Sequence, residues 1–225
     1  MIDNNIYPIG TDYCESRYQL IRPILDLYKG SFSVLDLGAA QGYFSFRIAH
    51  DYPKSSNVMI DANNTSCYAH HGDMLYDLCL LNSHLPNIFY LKRRMNLADL
   101  SFLNAKEHFD VIIALLVVHL MEDDVDKQGK ILQSLLRLGD NLIVEVANDV
   151  DVRHTAYVEQ LSRTLNGQYL GEVKRHKDPK SRSTGKLFWF TSKAFPKTER
   201  NDVPLRAIHK ETFRSLNGVY PSIIS

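Results

Sequence analysis

The chain contains no internal repeat and no low-complexity tract, which sets aside repeat architectures and compositionally biased linkers. Cysteine is scarce: Cys14, Cys67 and Cys79 are an odd number without metal-ligand spacing. They read as free thiols in a reducing compartment, so a cytoplasmic location is expected. Long apolar runs are missing. The longest, Val111 to Met121, contains His119 and falls far short of the roughly 20 residues that a bilayer requires. No charged-then-apolar leader opens the sequence, so no secretion signal is expected. Net charge of one sign is also absent, because 26 Lys and Arg balance 26 Asp and Glu.

That balance conceals an uneven distribution. Residues 1–150 hold 12 Lys/Arg against 19 Asp/Glu, and residues 151–225 hold 14 against 7. An acidic body with a basic last third is the one compositional hint about a partner. With 225 residues, 44% of them hydrophobic, the default is one domain with an ample core.

The chain is organised around Ser33 to Ile48, SVLDLGAAQGYFSFRI. An apolar run, Val34–Leu35, is broken by Asp36 and resumes at Leu37. Gly38-Ala39-Ala40-Gln41-Gly42 follows, and Phe44 and Ile48 then lie four apart on one helix face. The pattern is strand, tight small-residue turn, helix. Small residues let the backbone pass close to a ligand, and the helix behind presents N–H groups and a positive dipole end. A dinucleotide site wants G-x-G-x-x-G, but that spacing from Gly38 lands on Ala40 and Tyr43. The alternative spacing, small residues at Gly38, Ala40 and Gly42, is met in full. Asp36-Leu37-Gly38-Ala39-Ala40-Gln41-Gly42 resembles the first motif of the class I S-adenosylmethionine (SAM) methyltransferases, acidic-x-Gly-x-Gly-x-Gly, with Ala40 replacing the middle glycine.

Two further features carry the resemblance. A second strand, Asn57–Ile60, ends at Asp61, and a carboxylate there can accept both ribose hydroxyls of a nucleoside. A turn or N-cap role before Asn63 and Asn64 shares the position. The last two strands, Gln168–Val173 and Lys186–Thr191, read as an antiparallel pair, as at the end of a class I methyltransferase sheet. The resemblance covers about residues 33–191. It implies an α/β fold, a doubly wound, seven-stranded, mostly parallel sheet with a C-terminal antiparallel hairpin. The ends are not covered by it; the expected division is a helical cap at residues 1–32, a SAM-binding domain at 33–194 and a basic extension at 195–225.

The other segments fit that frame. Tyr13 to Tyr28 has helical spacing, with Pro23 expected to split or kink it. Arg17, Tyr18 and Arg22 there either reach the methionine carboxylate of the cofactor, as the resemblance implies, or are exposed charges on a packing helix. Thr65 to Leu81 has a helical period. Its adjacent His70 and His71 point to different faces and make a poor metal site, so no metal is expected. A third strand, Ile88–Leu91, precedes Lys92-Arg93-Arg94. In the resembled family a polar residue past this strand bonds the adenine amino group and an apolar neighbour covers the ring. Asn96 and Leu97 match by position, Asp99 competes, and a helix-capping turn is the alternative. Asp110 to His119 is a buried strand running into its loop. Its end, Ala114 to Leu116 with Leu115 central, is the implied wall for the methionine part. His119 is either a general base or a structural histidine. Glu122, Asp123, Asp124 and Asp126 precede a helix at Lys127–Leu138, where acids suit the dipole. Strand Asn141–Val146 carries Glu145, a substrate-side carboxylate or a paired strand residue, with Asn148 and Asp149 beyond its end.

The implied activity is SAM-dependent methyl transfer. Gly38, Ala39, Ala40, Gln41 and Gly42 would give the backbone passage, Asp36 would organise the turn and the cofactor amine, and Asp61 with Ala62 would hold the ribose. His119 and Glu145 are the catalytic candidates. The loop after Val173 carries Lys174, Arg175, Lys177, Lys180 and Arg182 with one acid, Asp178. It is either a solvated hairpin or a rim that draws an anionic acceptor, RNA or a phosphorylated or acidic small molecule. A neutral O- or N-acceptor is the alternative substrate. The fourth strand ends in Leu115–Leu116 without an aspartate, so the lysine–aspartate–lysine–glutamate mechanism of some RNA enzymes is not implied. A nicotinamide-dependent oxidoreductase and a non-catalytic SAM-binding scaffold are the rival classes.

Overall fold

The computed structural model describes residues 12–62, 74–147, 152–165, 167–174 and 183–192. Cys67, His70, His71, Asn148, Asp149, Arg175, Lys177, Lys180, Arg182 and the extension at 195–225 lie outside them. In order come α1 (Asp12–Leu25), β1 (Phe32–Leu37), α2 (Tyr43–Asp51), β2 (Ser55–Asp61), α3 (Met74–Leu81), β3 (Ile88–Lys92) and α4 (Leu97–Lys106). Then follow β4 (Phe109–Leu115), α5 (Val118–Met121), α6 (Val125–Leu138), β5 (Gly139–Ala147), α7 (Val152–Thr164), β6 (Gln168–Lys174) and β7 (Thr184–Thr191).

The seven strands form one sheet in the order β3-β2-β1-β4-β5-β7-β6. Strands β1 to β5 pair in parallel, and β7 runs antiparallel to both β5 and β6. The expected architecture and closing hairpin are therefore present. β6 points the same way as β1–β5, so their C-terminal ends share one edge. Several strands are longer than the sequence pattern marks; β2 includes Asp61 as its last residue.

Helices on both faces explain the apolar runs. Every residue of β1, β2 and β5 is buried, as parallel strands covered twice require. Successive residues split between two cores, because side chains alternate across a strand. Leu35, Ile112 and Leu142 join the cluster under α4, α6 and α7. Val34, Ile113 and Ile143 join the cluster with Tyr18, Ile21 and Leu25 of α1 and Phe44 and Ile48 of α2. In α6 the fully buried Ile131, Leu132, Leu135 and Leu138 form one stripe, each stabilising the fold by about 1.5–3 kcal/mol.

Two local readings change. The α1 segment is one helix with Pro23 inside it, so of the split or kink expected there the split does not occur. Pro23 removes only the N–H that would reach back to Gln19, and the helix ends two residues later, so the loss falls in its last turn. A ten-residue helix, α4, follows Asn96, where the sequence displays only a cap-like turn. At the edge opposite the strands' C-terminal ends, a polar network ties the elements together. Ser33 N–H donates to Asp110 Oδ2 at 2.8 Å, Tyr28 Oη to Asp110 O at 3.0 Å, and Asn141 Nδ2 to Tyr28 Oη at 2.7 Å. Trp189 Nε1 donates to Asn141 Oδ1 at 3.0 Å, bringing in β7. Tyr28→Phe keeps the ring stacked on Phe32 but removes the hydroxyl, and it is expected to lower unfolding free energy by about 1 kcal/mol in urea titrations.

Candidate functional site

The sheet order reverses direction between β1 and β4, and in open α/β sheets the ligand crevice lies at such a switch point, outside the C-terminal strand ends. The turn at residues 38–42 stands there. Gly38 N–H and Ala39 N–H both donate to Ile60 O, at 2.8 and 3.3 Å, and Gly42 N–H donates to Ala39 O at 2.7 Å. Three of the five residues are left-handed: Gly38 (φ 76°), Ala40 (φ 51°) and Gly42 (φ 72°). Such a conformation is costly for side-chain-bearing residues, so the glycines follow from the path. A Cβ on Gly38 would sit 2.5 Å from Val117, and one on Gly42 would sit 2.6 Å from Phe46 and 2.9 Å from Leu75. Both glycines therefore back onto protein, and Ala40 between them is exposed with only a methyl group. Gly42 also starts α2, whose first N–H groups lie at this edge.

Two carboxylates brace the turn. Asp61 Oδ2 accepts the Ala40 N–H at 2.8 Å, so the end of β2 and the turn after β1 meet directly. Asp36 lies beneath, buried, and its Oδ2 accepts from Ser45 Oγ of α2 at 2.8 Å. It locks strand to helix, in keeping with an organising role, and it is turned toward α2. Burial pushes its carboxyl up to about 7; the Ser45 hydroxyl and N–H oppose this, and the Asp61 charge adds to it. Ser45 is the partner that the sequence reading missed; a hydroxyl three residues past the turn glycine was its only trace.

Past β3, Asn96 caps α4. Its Oδ1 accepts from the N–H groups of Ala98 and Asp99 at 2.9 and 3.0 Å, and Asp99 Oδ2 accepts the Asn96 N–H at 3.2 Å. Asn96 Oδ1 thus caps the helix, which is the alternative that the sequence also offers. Asp99 is committed too, because its Oδ1 accepts from Arg93 at 2.7 Å. Leu97 is partly buried against the core.

At the end of β4, Leu115 packs partly buried against the α1-side core, and Leu116 turns left-handed (φ 55°) while its N–H donates to Glu145 O at 3.2 Å. Val117 closes over Gly38. His119 falls in the one-turn α5 and is half-buried. Glu145 is buried and paired: Arg17 Nε donates to Oε2 at 2.5 Å and Arg17 Nη2 to Oε1 at 2.6 Å. Arg17 and Glu145 were expected on a cofactor and a substrate respectively, or as ordinary packing and strand residues; the structure brings them to each other. Glu15 accepts the Tyr43 hydroxyl, a link between α1 and the residue after Gly42 that the sequence reading missed. Exposed Lys92, Arg94 and Lys174 stand at the ends of β3 and β6 on the crevice edge.

Two measurements check this geometry. Gly42→Ala is expected to cost about 2 kcal/mol or more in urea unfolding, whereas Ala40→Gly, which relieves left-handed strain but loosens the unfolded chain, stays within about 0.5 kcal/mol of wild type. Asp36 has a folded pKa raised above its ordinary value of 3.8, so the folded state holds a proton that the unfolded state releases. Its contribution is complete below about pH 4 and is lost as pH rises through about 7. The wild-type urea midpoint should therefore fall between pH 5 and pH 8 relative to that of Asp36→Asn.

No protein-family model and no curated protein matches the chain. Solved structures do. A structure of WbdD, a protein that another of its structures titles a bifunctional kinase-methyltransferase, matches at 19% identity with a TM-score of 0.61, over 87% of this chain and 40% of that one. The chain thus spans about two fifths of the length of WbdD. The magnesium protoporphyrin IX methyltransferase of Synechocystis PCC 6803, solved with bound SAM, matches at 13% identity and TM-score 0.56, over 84% and 88% of the two chains. A structure from Pyrococcus horikoshii titled as an RNA methyltransferase matches at 12% identity and TM-score 0.50, over 79% and 82%. With the seven-stranded order, the reversed β7 and the turn after β1, these likenesses place the chain in the class I, Rossmann-like methyltransferase fold.

Proposed function

We propose that this chain binds SAM at the turn between β1 and α2 and transfers its methyl group to an anionic acceptor. One observation carries the reading: the backbone of residues 38–42 forms a left-handed passage at the sheet's switch point, bonded directly to the carboxylate that ends β2. When bound, SAM supplies a methyl group on a sulfonium, an already activated electrophile. Gly38 to Gly42 hold the nucleoside through backbone, Asp61 and Ala62 take its ribose, and Leu97 covers the ring. Leu115 and Val117 keep water away on the β4 side. The protein's task is then alignment and dehydration more than proton transfer.

The committed carboxylates favour an acceptor that needs no base. Asp36 is tied to Ser45, Asp61 to the turn, Asp99 to Arg93 and the α4 cap, and Glu145 to Arg17. Asp124 caps α6 through the Lys127 N–H at 3.0 Å. A phosphate or carboxylate oxygen is already nucleophilic at neutral pH, and the exposed Lys92, Arg94 and Lys174 would attract it. His119 is the remaining candidate base should the acceptor carry a proton. The acceptors named for the solved neighbours differ, so the fold itself does not choose among them. Isothermal calorimetry tests the cofactor. Saturable binding of SAM and S-adenosylhomocysteine without binding of NAD is expected, with affinity about tenfold or more weaker in Asp61→Ala. Binding of NAD alone would overturn the assignment.

A further inference from the structure

We infer that Arg17 and Glu145 are positioning residues: their buried ion pair fixes α1 across the crevice ends of β4 and β5, and Gly185 is glycine because the Glu145 side chain fills the space of its Cβ. The inference rests on the cofactor reading above and assigns a wall of that same site.

The placement follows from register. Glu145 stands opposite Leu115 of β4 and Leu187 of β7. It is two residues past Ile143, so it shares the face that packs under α1. Both of its oxygens accept from the Arg17 fork, and both side chains are almost fully excluded from solvent, 8% exposed for Arg17 and 0% for Glu145. A Cβ on Gly185 would collide with Oε1, Cδ and Cγ of Glu145. On its other flank α1 is held by the Tyr43 hydroxyl on Glu15, by Tyr18 Oη donating to Asp51 Oδ2 at 2.9 Å, and by Arg47 over the Tyr18 ring at 5.4 Å. One set of anchors follows the turn at the end of β1, and the other is on β5. In the sheet order only β4 lies between those strands, so the N-terminal half of α1 bridges the end of β4.

A buried pair is a poor choice for stability alone, since well-packed apolar residues commonly do as well. Its distinctive property is direction. A bidentate fork admits one placement of the helix, whereas an apolar contact lets it slide along the sheet. If Asp61 and Ala62 take the ribose and Leu115 walls the methionine part, as the proposed reading has it, the amino-acid part of the cofactor would lie on the side that the bridge covers, and adenosine lacks that part. Fixing α1 therefore matters to the amino-acid part and not to the nucleoside.

The test compares Arg17→Met/Glu145→Leu, an apolar replacement of both charges, with Gly185→Ala, which displaces Glu145 without removing a charge. Urea unfolding identifies variants that remain folded, and calorimetry measures S-adenosylhomocysteine and adenosine separately. The expected result is S-adenosylhomocysteine binding weakened about tenfold or more with adenosine binding unchanged, together with faster amide exchange across residues 14–18. Hydrogen exchange on the same samples needs no ligand and reads the clamp even if one variant binds nothing. Folded variants with wild-type affinity for both ligands and unchanged exchange would overturn the inference while leaving the cofactor reading intact. A wild-type protein that binds neither ligand would overturn both.

Discussion

Two amide groups share one carbonyl at the centre of this molecule: Gly38 and Ala39 both donate to Ile60 O, and the next amide, Ala40, donates to Asp61. Because those acceptors are the last two residues of β2, the chain leaving β1 cannot rise from the sheet until it has passed along its neighbour. That detour forces the left-handed residues, and the left-handed residues in turn restrict positions 38 and 42 to glycine. It also brings Val117 down onto Gly38, so the loop after β4 is shaped by the same turn. The candidate site is the residue of this constraint: a short piece of backbone, stripped of side chains, pinned beside a carboxylate.

Much of this was legible in the sequence because it depends on local rules. Apolar runs marked strands buried on both faces, the small-residue spacing marked the turn, and the last two runs marked the reversed hairpin. What escaped depended on partners far along the chain. Glu145 and Arg17 are 128 positions apart, and neither residue's surroundings in sequence hint at the other. Gly185 resembles any hairpin glycine until Glu145 is found occupying its Cβ space. Pro23 does not divide its helix, because its effect depends on how soon the helix ends, and here that is two residues later. Asn96 was ambiguous for a chemical reason, since an amide that can cap a helix can equally bond a base, and only geometry reveals the cap.

The distribution of polar groups has one further implication. Methyl transfer from a sulfonium needs the two reacting atoms held in line, and orientation of that kind can supply several kcal/mol of barrier lowering without any proton moving. A fold serving such a reaction gains more from rigidity than from free acids and bases. The described carboxylates around this crevice follow that rule: they stitch β1 to α2, β2 to the turn, β3 to α4, and α1 to β5. Each is used to hold backbone or a neighbouring charge in place. The burial that raises the Asp36 pKa is the clearest sign of the exchange, because a carboxylate is expensive to desolvate and is retained here where it fixes the helix behind the turn. On the proposed reading, a site built in this way would suit acceptors that arrive already nucleophilic, with their attraction left to the exposed Lys92, Arg94 and Lys174 at the two ends of the sheet.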